Sequence, residues 1–217
     1  MNEQNPVTTG RTATWAIEQL VQALAERGIV ADDPPVRLAT ADEVPAADLA
    51  DVPESYAVLR ADDEIVVVSN DETGLRCGVL ELADRVAAGE DLAGTTPFAE
   101  QPAVPVRGVV RSFSSVDEDS SWFHDKQFWT EYLTWLAASR FNRFHLALGM
   151  QYNYGADRHG ATDNYLCFAY PFLFDVDGYD VRAEGVGADE QKRNLEMLRF
   201  IAAESKRRGL KFQLGAR

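Results

Sequence analysis

The sequence contains little cysteine and no long apolar run, and both shortages narrow the classes of protein to which it can belong. Its two cysteines, Cys77 and Cys167, match no metal-ligand spacing. We therefore expect free thiols in a reducing compartment, and no metal or other cofactor. No run of about 18 apolar residues is present, so no transmembrane helix is predicted. Residues 1–14 lack the basic and apolar pattern of a secretion signal. Together these absences predict a cytoplasmic globular protein.

Basic charge is scarce as well. The chain has 35 acidic residues against 21 lysines and arginines, which gives a net charge of −14. Such a surface repels other polyanions, so we predict neither nucleic acid nor an anionic membrane as a partner. Composition and charge leave the oligomeric state undetermined.

The carboxyl-terminal half alternates between the patterns of strands and helices. Residues 106–113 form a β-branched run, residues 144–148 a second short apolar run, and residues 210–214 a third. Amphipathic helical patterns separate these runs, and Gly209 follows the second helix as its predicted cap. Strands joined by crossover helices of this length lie parallel. We therefore predict a β-α-β-α-β arrangement over residues 106–217, which we interpret as the first, incomplete portion of a (β/α)8 barrel.

The amino-terminal half predicts a small α+β domain over residues 12–90. It combines a helix over about residues 14–27, a short strand over residues 36–39 and a hairpin formed by residues 56–60 and 65–68. A second helix is indicated by an apolar stripe at Leu75, Val79, Leu82 and Val86. Residues 91–105 contain glycine and three prolines without periodicity, so we predict a linker there.

The order of these elements resembles the front end of certain glycoside hydrolases. The residues that carry the resemblance are the acidic segment that leads into Gly74, Gly78 and Leu82, and the Val106-Arg107-Gly108 start of the next strand. In β-hexosaminidases (family 20) and α-glucuronidases (family 67), a similar small domain precedes a (β/α)8 catalytic barrel. The strand that begins at Val106 lacks the aspartate found in the β-hexosaminidases and the tryptophan found in the α-glucuronidases. The resemblance therefore implies the architecture that both families share, a small domain followed by a (β/α)8 barrel. It does not assign the chain to either family.

Arg107 and Arg111 are the first candidate site residues. They lie four positions apart on a predicted strand, so both point to the same face. Buried in a barrel, an arginine needs an anionic or hydroxyl partner. A sugar contact and a buried salt bridge to a neighbouring strand both satisfy that need. The resemblance implies the first, because Arg107 matches the arginine with which hexosaminidases grip substrate.

Gln151, Tyr152 and Asn153 are the second group of candidates. They directly follow the predicted strand over residues 144–148, at the start of a connection that extends to about residue 188. Amides hydrogen-bond sugar hydroxyls and aromatic rings stack on pyranose faces, so this composition is typical of a carbohydrate subsite. An ordered loop whose amides satisfy its own backbone is the alternative.

The leading hypothesis is therefore a carbohydrate-active glycoside hydrolase that binds an oligosaccharide or glycoside. A non-catalytic carbohydrate-binding or scaffold module is the alternative. Glycoside hydrolysis uses two carboxyl groups, and in both resembled families these lie on later barrel strands. We therefore assign no catalytic residue, and we expect the chain alone to be inactive.

Overall fold

A computed structural model describes residues 11–29, 34–46, 48–113, 116–148, 170–178 and 186–215, without the side chains of residues 11 and 116–118. The chain divides into two compact units. The first comprises Met1–Pro105 with Arg207–Gly209, and the second comprises Val106–Lys206 with Leu210–Arg217. Within the described ranges, no helix is long and apolar enough to cross a bilayer.

The first unit is a mixed sheet with two helices. Its elements are α1 (Arg11–Glu26), β1 (Val36–Thr40), β2 (Tyr56–Ala61), β3 (Glu64–Ser69), α2 (Glu72–Ala87) and β4 (Phe98–Glu100). The strand order is β1-β3-β2-β4. β1 runs parallel to β3, whereas β2 runs antiparallel to both of its neighbours. The helices α1 and α2 contact each other, and α2 also packs on β2 and β3. The predicted α+β fold of the amino-terminal half is confirmed.

Burial of the two helices follows the predicted stripes with one exception. The apolar stripe of α2 is buried throughout. On α1 the sequence pattern predicts that Trp15, Leu20, Val21 and Leu24 share one face. Three of them are buried, but Val21 is 43% exposed, so its assignment to the core face was wrong. At 3.6 residues per turn, position 21 is rotated by about 100° from position 20, which carries it off the stripe.

The predicted linker over residues 91–105 contains regular structure. Leu92–Gly94 form a 3-10 turn and Phe98–Glu100 form β4, which pairs with β2. The Phe98 ring meets the edge of Tyr56 at 6.3 Å between centroids, and the Arg85 guanidinium lies 4.0 Å from its centre. A strand of three residues is too short to show the alternation from which strands are predicted, so pairing and ring contacts define this one.

The second unit is a parallel three-stranded sheet with helices. Its elements are β5 (Gly108–Phe113), α3 (Val116–Phe123), α4 (Lys126–Ala138), β6 (Arg143–Leu148), α5 (Ala188–Arg207) and β7 (Lys211–Gly215), with a 3-10 turn at Tyr170–Phe172. The strand order is β5-β6-β7, and both pairings are parallel. The predicted β-α-β-α-β arrangement is confirmed. The sequence predicts a loop over about residues 114–125, but α3 lies there.

Local signals explain where the helices of the second unit begin and end. The Asp125 carboxylate accepts from the main-chain N–H groups of Gln127 and Phe128, and thereby caps α4. Trp129, Leu133 and Leu136 form the buried stripe of α4. Gly209 has a φ of +73°, which only glycine adopts freely, and so allows the chain to turn from α5 into β7.

Candidate functional site

The two faces of the β5-β6-β7 sheet differ in what covers them. One face, here called the helix face, carries Arg111 and Phe113 of β5 and Phe144 of β6. On it, α4 places Trp129 and Tyr132 against Phe144, with ring centroids 5.7 and 6.0 Å apart. The register and the alternation of strands assign the other positions to the opposite face, here called the polar face. Its residues are Gly108, Val110 and Ser112 on β5, Arg143, His145 and Ala147 on β6, and Lys211, Gln213 and Gly215 on β7.

Arg111 lies on the helix face inside a group of aromatic rings. Its guanidinium carbon is 4.1 Å from the ring centre of Trp122, 5.0 Å from that of Phe128 and 5.6 Å from that of Tyr132. The Nε atom is buried and has no hydrogen-bond partner among the described residues. Aromatic faces stabilise a guanidinium through their quadrupoles, so this cation is held without an acidic partner there.

Arg107 precedes β5 and lies at the amino end of the sheet. Its main-chain N–H donates to Asn142 Oδ1 at 3.0 Å, and its Nε donates to the carbonyl oxygen of Arg140 at 2.7 Å. Its own carbonyl oxygen accepts from the N–H groups of Asn142 and Arg143. These contacts fix the start of β5 to the turn between α4 and β6. The structure therefore does not bring Arg107 and Arg111 to one place.

The carboxyl end of β5 is where the connection from β6 returns. Phe172 packs against Phe113, the last residue of β5, with ring centroids 5.0 Å apart, and against Phe123 at 5.5 Å. Pro171 and Leu173 on either side of it are buried. Residues 171–173 of this connection are thus packed at the carboxyl end of β5.

Polar side chains of α5 and α3 hold this returning segment in place. Asn194, which is fully buried, donates from Nδ2 to the carbonyl oxygen of Phe172 at 2.9 Å. Its Oδ1 lies 2.6 Å from Nε2 of His124, at the end of α3. Gln191 donates to the carbonyl oxygen of Pro171 at 3.0 Å and to Asp175 Oδ1 at 2.9 Å. Three hydrogen bonds, one from Asn194 and two from Gln191, therefore hold the segment between residues 171 and 175.

These anchoring residues were missed in the sequence, although one signal for them exists. Asn194 stands on the buried stripe of α5, at helical spacing from Leu198, Ile201 and Ser205. A polar residue on such a stripe needs a hydrogen-bond partner inside the fold. His145 was missed as well; it lies on the polar face, and its buried Nε2 has no hydrogen-bond partner in the described part of the chain.

Gln151, Tyr152 and Asn153 lie outside the described residues, as does the rest of the chain from residue 149 to residue 169. Their position in sequence, directly after Leu148 at the end of β6, remains the reason for their prediction. Within the described ranges, no three His, Cys, Asp or Glu side chains lie close enough together to hold a metal ion.

Comparison with known proteins shows a likeness of fold. No protein-family profile and no curated protein matches the sequence. Among solved structures, a GH138 enzyme targeting pectin rhamnogalacturonan II is similar over 94% of this chain, with a TM-score of 0.69 and 21% identity. CpGH84B is similar over 94% with a TM-score of 0.51 and 15% identity. A Streptomyces plicatus β-hexosaminidase is similar over 94% with a TM-score of 0.51 and 17% identity.

These similarities establish the fold. The chain spans 23%, 32% and 38% of the lengths of the three proteins, in the same order. The glycoside hydrolase architecture expected from the sequence is therefore confirmed as a structural likeness, and the resemblance to α-glucuronidases has no counterpart among these three.

Proposed function

We propose that this chain is the amino-terminal part of a glycoside hydrolase that acts on an oligosaccharide or glycoside. In this proposal residues 12–90 form a small α/β domain, residues 91–105 connect it, and residues 106–217 form the first units of a (β/α)8 barrel. Two carboxyl groups carry out glycoside hydrolysis. We assign neither of them to this chain.

The observation that carries the proposal is a parallel sheet in which the connection from β6 returns to the carboxyl end of β5. In (β/α)8 barrels the chemistry takes place at the carboxyl ends of the strands. Phe172, in this connection, packs against Phe113 at that end of β5, and Asn194 of α5 donates to its carbonyl oxygen. The likeness of fold to three glycoside hydrolases over 94% of the chain supports the same interpretation. Since one fold serves many functions, the proposal depends on the sugar-binding test below.

We assign the main substrate contacts to Gln151, Tyr152 and Asn153, because they follow β6 at the edge to which the connection returns. Amide groups at this edge donate to and accept from sugar hydroxyls, and a tyrosine ring stacks on the apolar face of a pyranose. Arg107 and Arg111 stay predicted substrate ligands. Their main-chain and aromatic contacts support the alternative role of structural cations.

Saturation-transfer NMR on the purified 217-residue chain tests this function. The probes are the methyl glycosides of N-acetylglucosamine and of glucuronic acid, the two sugars that the resembled families imply. We expect one of them to bind. Asn153→Ala should weaken that binding by about two- to tenfold, the equivalent of one hydrogen bond of about 0.5–1.5 kcal/mol. His159→Ala is the control variant and should leave binding unchanged, while both variants keep the wild-type melting temperature.

Aryl glycosides of the same sugars provide the complementary measurement. We expect no hydrolysis by the 217-residue chain. Turnover by the purified chain would place the two carboxyl groups within it and would overturn the assignment of catalysis to other strands. If neither methyl glycoside gives a saturation-transfer signal, the proposed carbohydrate site is wrong.

A further inference from the structure

The contacts of His124 set a condition on the protonation of its ring. Nε2 lies 2.6 Å from Oδ1 of Asn194, and Nδ1 lies 3.2 Å from the main-chain carbonyl oxygen of Ser120. A carbonyl oxygen accepts hydrogen bonds and cannot donate them. Nδ1 therefore forms a hydrogen bond with Ser120 only when this nitrogen carries a proton.

The orientation of the Asn194 amide sets the same condition on Nε2. Asn194 is fully buried and donates from Nδ2 to the carbonyl oxygen of Phe172 at 2.9 Å. If the amide were turned over, its Oδ1 would face that carbonyl oxygen, and two acceptors would meet without a proton between them. Oδ1 therefore points to His124, and Nε2 must donate to it. A neutral imidazole has one N–H and an imidazolium has two, so only the charged ring satisfies both contacts.

The position of His124 in the chain also favours the charged ring. His124 directly follows α3, and its main-chain N–H donates to the same carbonyl oxygen of Ser120 at 3.3 Å. The last carbonyl groups of a helix carry partial negative charge, which stabilises a histidine cation beside them. The end of α3 therefore acts on the ring in the same direction as the two hydrogen bonds.

The ionisable side chains on the elements around the ring do not pair with it. Those closest along α3, α4, the connection and α5 are Asp119, Asp125, Lys126, Asp175 and Glu190. Asp119 accepts from the indole N–H of Trp122, and Asp125 caps α4. Asp175 accepts from Gln191, and the Lys126 ammonium lies over the ring of Phe200. Among the described residues, none of the four carboxylates forms an ion pair with His124, so the protonated ring is held by the oxygens of Asn194 and Ser120.

We propose that His124 makes the anchor of Phe172 sensitive to pH. This anchor consists of His124, Asn194 and the main-chain carbonyl group of Phe172, and it holds residues 171–173 at the carboxyl end of β5. As an imidazolium, His124 keeps Asn194 in the orientation in which it donates to Phe172. This inference concerns contacts within the second unit and is independent of the proposed enzymatic function.

Loss of a proton from His124 weakens the anchor of Phe172 in two ways. The neutral ring keeps a single N–H, so the oxygen of either Asn194 or Ser120 faces a nitrogen lone pair. The remaining hydrogen bond is no longer charge-assisted, and charge-assisted bonds are roughly twice as strong as neutral ones. Because both bonds favour the protonated ring, their stabilisation is present at low pH and is lost as the pH rises through the range in which histidine titrates.

Amide hydrogen exchange of the 217-residue chain tests the proposal. The main-chain N–H groups of Leu173 and Phe174 donate to the carbonyl oxygen of Tyr170, and they are protected while this turn stays closed. Their protection factors, which divide the intrinsic exchange rate at each pH by the measured rate, should fall about two- to tenfold between about pH 5.5 and about pH 8. His124→Gln should remove this fall, because glutamine does not titrate, whereas the matched variant His159→Gln should preserve it.

Nitrogen-15 NMR of the histidine side chains provides a second measurement that needs no variant. At about pH 5.5 both ring N–H protons of His124 should exchange slowly with water, because each one is held by an oxygen, whereas the protons of a solvated imidazolium exchange fast. Fast exchange of either proton would refute the two hydrogen bonds. Protection factors at Leu173 and Phe174 that do not fall with pH, or that still fall in a folded His124→Gln protein, would refute the control of the anchor by His124.

Discussion

Each of the two units packs a helix on a sheet, but the side chains at the two contacts are opposite in size. In the first unit, α2 approaches the strands through Gly74 and Gly78. A Cβ at Gly78 would lie 2.5 Å from Cγ1 of Val67, far inside normal contact. In the second unit, α4 stands on β6 through the buried ring of Trp129, 5.7 Å from the ring of Phe144. The contact of α2 depends on glycines, which have no side chain, whereas the contact of α4 depends on large aromatic side chains.

This difference explains the segment that resembles glycoside hydrolases. Its two glycines, four residues apart, lie on the face of α2 that meets the strands. Asp71 caps the helix by accepting from the N–H of Gly74 at 2.8 Å, and it also accepts from the N–H of Glu54 at 2.7 Å. The motif is therefore a requirement of close packing and capping, and a comparison of the two units can test it by substitution.

The largest effect is expected for Gly74→Ala. The new Cβ would lie 2.0 Å from Ser69 Oγ and 2.4 Å from the carbonyl oxygen of Ser55, and a main-chain atom cannot move aside cheaply. We expect a loss of about 3 kcal/mol or more of unfolding free energy, measured by urea unfolding. Gly94→Ala is the matched control, because a Cβ there meets no atom within 4 Å. If both variants are equally stable, the close approach of α2 is not what the glycines provide.

Trp129→Phe should produce the next largest effect. The indole N–H donates to the carbonyl oxygen of Phe123 at 2.9 Å, inside the core. The smaller ring leaves that oxygen unpaired and opens space beside Phe144, for a cost of about 2–3 kcal/mol. Trp135→Phe, at a position 62% exposed, should cost under about 0.5 kcal/mol in the same urea experiment. Equal losses for the two tryptophans would contradict the buried ring as the determinant of helix–sheet packing.

Arg111→Met should have a smaller effect in the same unit. It removes a guanidinium that three rings surround and keeps most of the side-chain volume. The expected loss is about 1–2 kcal/mol, against little change for Arg199→Met on the exposed side of α5. A stable Arg111→Met protein that no longer binds the methyl glycosides would instead favour Arg111 as a substrate ligand.

The smallest effect concerns pH and the first unit alone. The main-chain N–H of Thr40, followed by its hydroxyl, donates to the Glu43 carboxylate and lowers the pKa of Glu43 below its usual value. Because the pKa of Glu43 is lower in the folded state than in the unfolded state, the carboxylate stabilises the fold at pH values above its unfolded-state pKa. This contribution is lost as the pH falls through the folded-state pKa. The urea midpoint of the wild type should therefore fall slightly more on acidification than that of Glu43→Gln. Parallel curves would exclude the contribution.

The elements predicted well from the sequence are those whose pattern repeats several times. Leu75, Val79 and Val86 recur at helical spacing over three turns, so α2 was found with its buried face. The strands β5, β6 and β7 each carry an apolar run between helical patterns. Their parallel order followed from the general rule for crossover connections.

The elements that were missed depend on contacts distant in sequence. β4 is defined by its pairing with β2, and Phe98 alone does not reveal it. α3 begins in an acidic, serine-rich stretch that favours a loop on composition. The anchoring of Phe172 requires Asn194 and His124, which the chain brings together only after α5 has packed. Sequence patterns report local periodicity, whereas the anchor of Phe172 is assembled from single polar residues that lie far apart along the chain.

The hairpin of β2 and β3 has a consequence for the order in which the first sheet assembles. Ala61 lies opposite Glu64 across a turn in which Asp62 has a φ of +49°. Tyr56, by contrast, pairs with Glu100 on β4 far along the chain. Closing a short loop costs less conformational entropy than closing a long one, so the hairpin should form first and the outer strands should join it afterwards. Asp62→Gly, which relaxes the turn, should then accelerate refolding in stopped-flow experiments while leaving the unfolding rate nearly unchanged.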